Sequence, residues 1–311
     1  MTTSAGRLML LDTASLYFRA FFGVPDSVRA PDGSPVNAVR GLLDFIARLV
    51  DQYSPTDLVC CWDDDWRPQW RVDLIPTYKS HRVVAARRGG VDIEETPDAL
   101  VTQVPVIREV LAALGIAVVG APQMEADDVI GSLASQATMP VDIVTGDRDL
   151  FQLVDDDRDV RVLYTARGVG RHEVLTDSTV VTKYGVLPVQ YADFATLRGD
   201  NSDGLPGVAG VGEKTAASLM ARFGDLSGVI DAVADPSSGL ASGVRTKIQA
   251  AADYLAVAPT VVAVRRDLDL GPLDTALPDP VPAAPEEFAA LTERWGLGSS
   301  AVRVVTALSP A

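Results

Sequence analysis

The chain has 311 residues, of which 47% are apolar and 22% charged, and its formal net charge is −15. This length suffices to bury a sizeable core in one large or two smaller domains, while the negative charge excludes an evenly basic surface. No apolar run approaches the ~18 residues of a membrane span and no basic-then-apolar leader opens the chain, so we expect a cytoplasmic protein without a membrane partner.

Strand-like and helix-like patterns alternate over the first 175 residues. The strand-like segments are short apolar runs, and the helix-like segments repeat apolar residues every three or four positions. In chain order, we predict a strand at 8–11, helices at 14–22 and 36–52, a strand at 58–62, a helix at 97–114, a strand at 116–119, a helix from 126, and strands at 141–144 and 160–164. This alternation predicts an α/β core over residues 1–175.

Residues 67–96 interrupt this alternation without a clear period, and we predict an exposed excursion there. The excursion is rich in basic residues and contains one acid before residue 88, Asp73. The basic residues are Arg67, Arg71, Lys79, His81, Arg82, Arg87 and Arg88. Basic charge concentrated in an acidic chain favours a local phosphate-binding surface, although a solvated loop is the structural alternative.

The second half of the chain has a different character. Short helical stretches separated by glycines predict a compact helical region at 176–265. The Pro-rich stretch that follows predicts an irregular C-terminal wrap within 266–311, with a last helix at 285–295.

Nine acidic residues lie in separate stretches, mostly just after apolar strand-like runs. They are Asp12, Asp63, Glu125, Asp127, Asp128, Asp147, Asp149, Asp200 and Asp203. Neighbouring parallel strands end at one crevice, so these acids are expected to converge there. Each group alone is explained by a helix start or a turn. Together they indicate a site whose repulsion is relieved by divalent cations.

A glycine-rich segment at 205–216 leads directly into a predicted helix. Its backbone N–H groups, from Val211 to Lys214, can face an anion at the helix start, with the Lys214 side chain beside them. This pattern is typical of a helix–hairpin–helix that grips DNA phosphates, and the alternative is an ordinary tight turn. The candidate phosphate-binding residues are Gly210, Val211, Gly212, Lys214 and Thr215.

Taken together, these motifs resemble those of the 5′-nuclease family, which includes the 5′-exonuclease domain of bacterial DNA polymerase I, phage 5′-exonucleases and flap endonucleases. The matching stretches are Leu10-Leu11-Asp12 with Arg19, Trp62-Asp63, Trp70-Arg71, and the segments 77–82, 124–128, 145–153 and 199–216. The resemblance covers about residues 7–265 and is most specific in the last two segments. Since the chain ends at residue 311, it resembles a free-standing form of the domain.

The resemblance implies a PIN-like sheet flanked by helices, a helical arch at 67–96 and a helix-three-turn-helix form of the hairpin. It assigns Asp12, Asp63, Glu125, Asp127 and Asp128 to a first metal site, and Asp147, Asp149, Asp200 and Asp203 to a second. It further implies that Lys79 and Arg82 contact the scissile phosphate, and that Phe18, Arg19 and Arg71 contact DNA. The expected cofactors are two or three Mg²⁺ or Mn²⁺ ions, with K⁺ at the hairpin.

The activity implied is two-metal hydrolysis of DNA near 5′ ends or flaps in replication and repair. The partners implied are nicked, flapped or 5′-ended DNA, bound by a monomer at the nucleoid, with a functional link to DNA polymerase and ligase. Two alternatives are a PIN-like ribonuclease and a non-catalytic protein that binds DNA structures. The chain departs from the family at Asp64 and Asp65, two extra acids that put the DNA contact in question or supply outer-sphere metal ligands.

Overall fold

The protein is described here by a computed structural model that covers residues 6–86 and 91–309. Its centre is a six-stranded sheet in the order β5-β2-β1-β6-β7-β8, in which only β8 runs antiparallel to its neighbour. The strands of this sheet are β1 (Leu8–Asp12), β2 (Asp57–Cys61), β5 (Ala117–Val119), β6 (Val141–Thr145), β7 (Val160–Tyr164) and β8 (Glu173–Leu175).

The central strand β1 explains why the sheet is covered on both faces. All five of its residues are buried, as expected for a strand of a parallel sheet. Leu8 and Leu10 pack in one apolar core, while Met9 and Leu11 pack in the other. Strands β2 and β6 flank β1 in parallel, so all three end at the same edge of the sheet.

Helices from both halves of the chain cover the two faces. One core packs against helices from the N-terminal region together with the C-terminal pair, and the other packs against α6 and the helices that follow residue 176. The helices are α1 (Thr13–Gly23), α2 (Asn37–Tyr53), α3 (Gln69–Leu74), α4 (Asp98–Val101), α5 (Gln103–Leu114), α6 (Ala126–Gln136), α7 (Asp177–Tyr184), α8 (Tyr191–Arg198), α9 (Glu213–Phe223), α10 (Leu226–Ala234), α11 (Ser242–Ala250), α12 (Ala252–Val262), α13 (Pro285–Trp295) and α14 (Gly298–Leu308).

The α/β core and the helical second half are thus confirmed, but two elements differ from expectation. The described part of the excursion is not a helical arch: after α3 it forms a 3₁₀ turn at Ser80–Arg82 and an antiparallel pair, β3 (Val83–Ala85) with β4 (Ile93–Glu94). Its β-branched residues suit extended backbone, and Arg87 and Arg88 lie outside the described residues. A further helix, α14, follows the predicted last helix and packs on α2. Among the described residues, no helix combines the length and apolarity needed to cross a membrane.

Candidate active site

A cleft at the carboxyl edge of the sheet gathers five of the nine predicted metal ligands, both predicted catalytic residues and Phe18. It encloses about 380 Å³ and lies where β1, β2 and β6 end, the edge at which open α/β sheets bind ligands. The predicted residues that line it are Asp12, Phe18, Asp63, Lys79, Arg82, Glu125, Asp127 and Asp147. The fold therefore brings together acids that are far apart in sequence.

Asp12 is fixed at the centre of the cleft by its place between a strand and a helix. It is the last residue of β1 and the N-cap of α1, where its Oδ1 accepts a hydrogen bond from Ser15 N at 3.1 Å. Its Oδ2 accepts one from Thr145 Oγ1 at 2.7 Å, and the same hydroxyl oxygen accepts from Asp147 N at 2.9 Å. Thr145, which sequence patterns did not single out, therefore links Asp12 to Asp147.

The carboxylates of the cleft are crowded enough to raise one another's pKa. Burial and then the nearby Asp63 carboxylate raise the pKa of Asp12 to about 7. The pKa of Asp127 is raised well above its usual range by burial and by Asp147 and Asp12. An arrangement that disfavours ionised carboxylates gains stability from a bound cation.

Asp128 is a different kind of acid, and its assignment to the first metal site was wrong. Its side chain is fully buried, and its two oxygens accept four hydrogen bonds. The donors are Arg71 Nη2 at 2.8 Å, Arg71 Nη1 at 2.7 Å, Arg265 N at 2.9 Å and Glu125 N at 3.2 Å. With its acceptor positions taken, Asp128 has a structural role instead of a ligating one.

Arg71 was also assigned wrongly, as a DNA contact. Its residue surface is 2% exposed, and its guanidinium bonds Asp128, Glu125 and the carbonyl oxygen of Val261. A buried guanidinium with these partners is not accessible to a DNA phosphate. It neutralises the acids at the start of α6 and ties them to the end of α12.

Glu125 and Lys79 form an ion pair in the wall of the cleft. Glu125 also accepts hydrogen bonds from Tyr78 Oη at 2.7 Å and from Arg71 Nη1 at 3.0 Å. Lys79 N donates to the carbonyl oxygen of Asp203 at 2.8 Å, which joins the base of the excursion to the 199–212 loop. Lys79 is thus held in the cleft with its ammonium beside carboxylates.

The second acidic group extends from Asp147 towards the loop after α8. Asp149 N donates to Asp147 Oδ1 at 2.9 Å. Burial, followed by the charges of Asp147, Asp203 and Asp200, raises the pKa of Asp149 well above its usual range. Asp203 pairs with Arg82 at 3.1 Å, whereas Asp200 accepts from Arg198 Nη2 at 3.2 Å.

The donor set of the cleft fits a hard divalent cation. Among residues 6–86 and 91–309, no three acidic, His or Cys side chains are grouped closely enough to hold an ion as the side chains stand. The chemistry of the donors nevertheless matches Mg²⁺ or Mn²⁺, which prefer carboxylate oxygens. Asp149 Oδ1 is buried, and no described residue donates a hydrogen bond to it, so one oxygen there has its acceptor capacity free.

The glycine-rich segment connects α8 to α9, as a helix–hairpin–helix requires. Gly210, Gly212 and Lys214 are exposed at the start of α9, and Thr215 is half-buried. Val211 was wrongly included among the phosphate-binding N–H groups, because it is buried and its N donates to Val208 O at 2.9 Å. The hairpin therefore offers fewer N–H groups than its sequence suggested.

The ammonium of Lys247, on α11, bonds the carbonyl oxygen of Gly210 at 2.9 Å. Gly210 has φ +75°, a left-handed conformation that glycine adopts without strain. A cation at the hairpin was expected from the family, and here a side chain of the protein supplies one. Nothing in the sequence pattern distinguished Lys247 from other surface lysines.

The remaining predicted contacts lie beside the cleft. The Phe18 ring is half-buried and stacks on Tyr17 with centroids 5.3 Å apart. Arg19 Nη1 donates to Ala166 O at 3.3 Å. Asp65 accepts a hydrogen bond from Arg67 N at 3.1 Å, which closes a local turn. Asp64 packs against Gly120. Neither of these two extra acids is among the residues that line the cleft.

The cleft also contains residues that sequence reasoning missed. Glu94, Tyr17 and Trp66 line it. Glu94 reaches the cleft only because β4 pairs with β3, and no sequence motif indicates that pairing. Tyr17 lies one residue before the predicted Phe18 on α1, and adjacent helix positions do not share a face, so helical spacing did not single it out.

Models of known families match nearly the whole chain. The N-terminal resolvase-like domain of the 5′-3′ exonucleases matches residues 7–185, and their C-terminal SAM fold matches residues 186–281. The chain belongs to the 5′-3′ exonuclease family. It is therefore a nuclease, as its motifs predicted.

Named relatives and a solved structure are consistent with this membership. A 5′-3′ exonuclease of Streptomyces coelicolor is 61% identical over 97% of this chain and 100% of its own length. A 5′-3′ exonuclease of Mycobacterium tuberculosis is 50% identical over 97% of both chains. The bacteriophage T5 D15 flap endonuclease, solved as a pseudo-enzyme–product complex with DNA and metal ions, has a TM-score of 0.63 at 18% identity, over 97% of this chain and 99% of that one.

Proposed function

We propose that this nuclease hydrolyses DNA phosphodiesters near 5′ ends, as an exonuclease and at flaps, with divalent metal ions. The observation that carries the proposal is the set of crowded carboxylates facing Lys79 and Arg82 in one cleft. The T5 flap endonuclease that shares the fold was solved with DNA and metal ions, which supports the same substrate class here. A ribonuclease or a non-catalytic DNA-binding protein would not follow from the exonuclease relatives.

The residues that would hold metal fall into two groups that meet at Asp147. Bound ions would activate a water and stabilise the leaving oxygen. One group would comprise Asp12, Asp63, Glu125, Asp127 and Asp147, and the other Asp147, Asp149, Asp200 and Asp203. Asp128 is left out because its oxygens are saturated by donors. Binding of a third ion remains a prediction. Asp64 and Asp65 do not support it, because they are not among the residues that line the cleft.

Lys79 and Arg82 would supply positive charge to the scissile phosphate. Both line the same cleft as Asp12 and Asp63, and both are held by carboxylates, Lys79 by Glu125 and Arg82 by Asp203. Their charge would offset the charge that builds on the phosphate in the transition state. The Phe18 ring at the cleft, with Arg19 nearby, would contact a nucleotide beside it.

The hairpin would bind the duplex part of the DNA at a second contact, apart from the cleft. Exposed Gly210, Gly212 and Lys214 at the start of α9 favour a phosphate there, because the N-terminus of a helix attracts anions. Potassium at the hairpin remains an alternative to the Lys247 ammonium. A monomeric state, a nucleoid location and a link to polymerase and ligase are also retained as proposals.

The direct test incubates the purified chain with 5′-labelled flap, nicked and blunt duplexes, each with Mg²⁺, Mn²⁺ or chelator. We expect cleavage of DNA with either ion and none with chelator. Product lengths separate stepwise exonuclease action from cutting at the flap base. An all-RNA flap tests the ribonuclease alternative. Cleavage that persists in chelator would contradict metal dependence.

A further inference from the structure

One carboxylate in the cleft does not come from the sheet ends. Glu94 lies on β4, in the excursion, and its side chain lines the cleft together with Lys79 and Arg82. Its Oε1 is 4.0 Å from Arg82 Nη1, and its side chain is 23% exposed. Glu94 therefore contributes a negative charge at the position where the proposed phosphate contacts lie.

The position of Glu94 is fixed by bonds at the base of the excursion. Glu94 pairs with Val83 in the antiparallel ladder, and Glu95 N donates to Arg82 O at 2.7 Å. Two residues before Glu94, Asp92 is held by Trp66, whose Nε1 donates to its carbonyl oxygen at 2.8 Å. These contacts place the end of β4 beside the cleft.

The partners of Arg82 are of two kinds. Asp203 accepts a hydrogen bond from Arg82 at 3.1 Å and belongs to the loop after α8. Glu94 lies farther from the guanidinium, at an ion-pair distance without a hydrogen bond between the two. Arg82 and Lys79 attract the Glu94 carboxylate, while Asp63 and Glu125 repel it. Of the two acids beside Arg82, Glu94 is therefore the more weakly held.

We propose that Glu94 is a counter-anion for Arg82 that a DNA phosphate replaces on binding. The proposal rests on the proposed phosphate contact of Arg82. A carboxylate near Arg82 repels an incoming phosphodiester and neutralises part of the charge that would attract it. Glu94 thus lowers affinity for DNA and makes entry to the cleft depend on displacing it.

The test compares Glu94→Gln with Glu95→Gln. Glu95 is exposed and next to Glu94, so both variants change the net charge equally while only one alters the cleft. Binding of a fluorescent 5′-flap DNA is measured in chelator by anisotropy, and kcat and KM are measured with Mg²⁺. We expect Glu94→Gln to lower Kd and KM about three- to tenfold, because the substitution removes a partly screened repulsive charge. The value of kcat should not change. Glu95→Gln should change them less than about twofold.

A double-mutant cycle shows whether Glu94 acts through Arg82. In an Arg82→Ala background, Glu94→Gln should give a smaller gain in affinity, because only the direct repulsion between Glu94 and the phosphate is then left to remove. If Arg82→Ala binds and cuts like the wild type, the proposed phosphate contact fails, whatever Glu94 does. If Arg82→Ala is defective but Glu94→Gln matches Glu95→Gln, the contact stands and the counter-anion role fails.

Two other results would also overturn the inference. Glu94→Gln that lowers kcat at unchanged KM would place Glu94 in the chemical step, and weaker binding would make it a positive DNA contact. Should Glu94→Gln not fold, as judged by its circular dichroism melt, Glu94→Ala and Glu94→Asp provide the same comparison. Ala removes the charge, and Asp withdraws it by one methylene, so their gains in affinity should be full and partial.

Discussion

Asp127 and Asp128 are adjacent acids at the start of α6 with opposite surroundings. Asp128 is buried against Arg71, and four donors satisfy its oxygens. Asp127 lines the cleft facing Asp12 and Asp147, and its pKa is raised well above the usual range by burial and these neighbours. The comparison teaches that an acid whose oxygens are saturated by donors is structural, whereas a neighbour with oxygens left free remains for a metal.

The acids with oxygens left free should therefore carry the chemistry, and the largest effect is expected at Asp149, whose buried Oδ1 accepts no hydrogen bond from a described residue. Asp149→Asn should slow Mg²⁺-dependent cleavage by at least about a thousandfold, because a metal's charge stabilisation is worth several kcal/mol and each ~1.4 kcal/mol is a factor of ten. Single-turnover cleavage of a 5′-flap DNA measures this loss. DNA binding in chelator should be retained.

The matched control is Asp157→Asn, which removes an equal charge from an exposed acid outside the cleft. It should cut DNA at the wild-type rate. Full activity of Asp149→Asn would remove Asp149 from the metal site.

Substitution of Asp128, the structural acid, should lower stability more than it lowers catalysis. Asp128→Asn should lower the free energy of unfolding by about 3 kcal/mol, since it removes one of the two carboxylates that pair with the buried Arg71 guanidinium. Asp127→Asn should not lower the stability of the chelated protein, because it removes a repelled charge, yet it should impair metal-dependent cleavage. Urea unfolding in chelator, beside cleavage in Mg²⁺, separates the two. Equal stability losses in both variants would end the distinction between them.

This contrast also shows how much of the site could be predicted from the sequence. The apolar runs before Asp12 and Asp63 predicted strands, and parallel strands end at one edge, so convergence of the acids followed from local pattern. The spacing of Glu125 and Asp128 likewise showed a shared helical turn. It did not show that Arg71 packs there, because that contact joins α3 to α6 and depends on tertiary packing.

The same limit explains the other misses. Glu94 enters the cleft through the pairing of β3 with β4, two strands too short to give a period. The C-terminal helix α14 is stabilised by packing on α2, and it begins at Gly298, a poor helix former. In each case a contact distant in sequence determines the local structure.

A third expected outcome concerns how the stability of the protein depends on pH, because the carboxylates that line the cleft are crowded. The folded-state pKa of Asp12 is about 7, above the ~3.9 of an unfolded chain. A raised pKa means that folding favours the protonated form, so the stability of the chelated protein should fall as pH rises from about 4 to 7 and stay low above. Urea melts across this range measure it. Asp12→Asn should flatten the profile, and Mg²⁺ should raise wild-type stability at pH 8. If the stability of the wild type instead rises with pH over this range, the raised pKa of Asp12 and the crowding that explains it would be contradicted.

The smallest effect is expected at the hairpin, where a lysine bonds the chain's own backbone. Lys247→Met keeps the aliphatic stem but removes the ammonium that bonds Gly210 O. The loss of one charge-assisted hydrogen bond at an exposed loop should weaken duplex binding about threefold, with kcat at saturating DNA unchanged. Anisotropy with a flap DNA whose duplex arm spans the hairpin measures it, and Lys247→Arg should restore most of the affinity.

The salt cation then distinguishes a built-in ammonium from a potassium site. If Lys247 supplies the charge at Gly210 O, wild-type binding should be nearly the same in potassium and tetramethylammonium salts of equal ionic strength. Lys247→Met should bind better in potassium, because a small free cation can then approach the Gly210 carbonyl. Equal dependence on potassium in both proteins would show that the ion binds elsewhere in the hairpin and that Lys247 does not replace it.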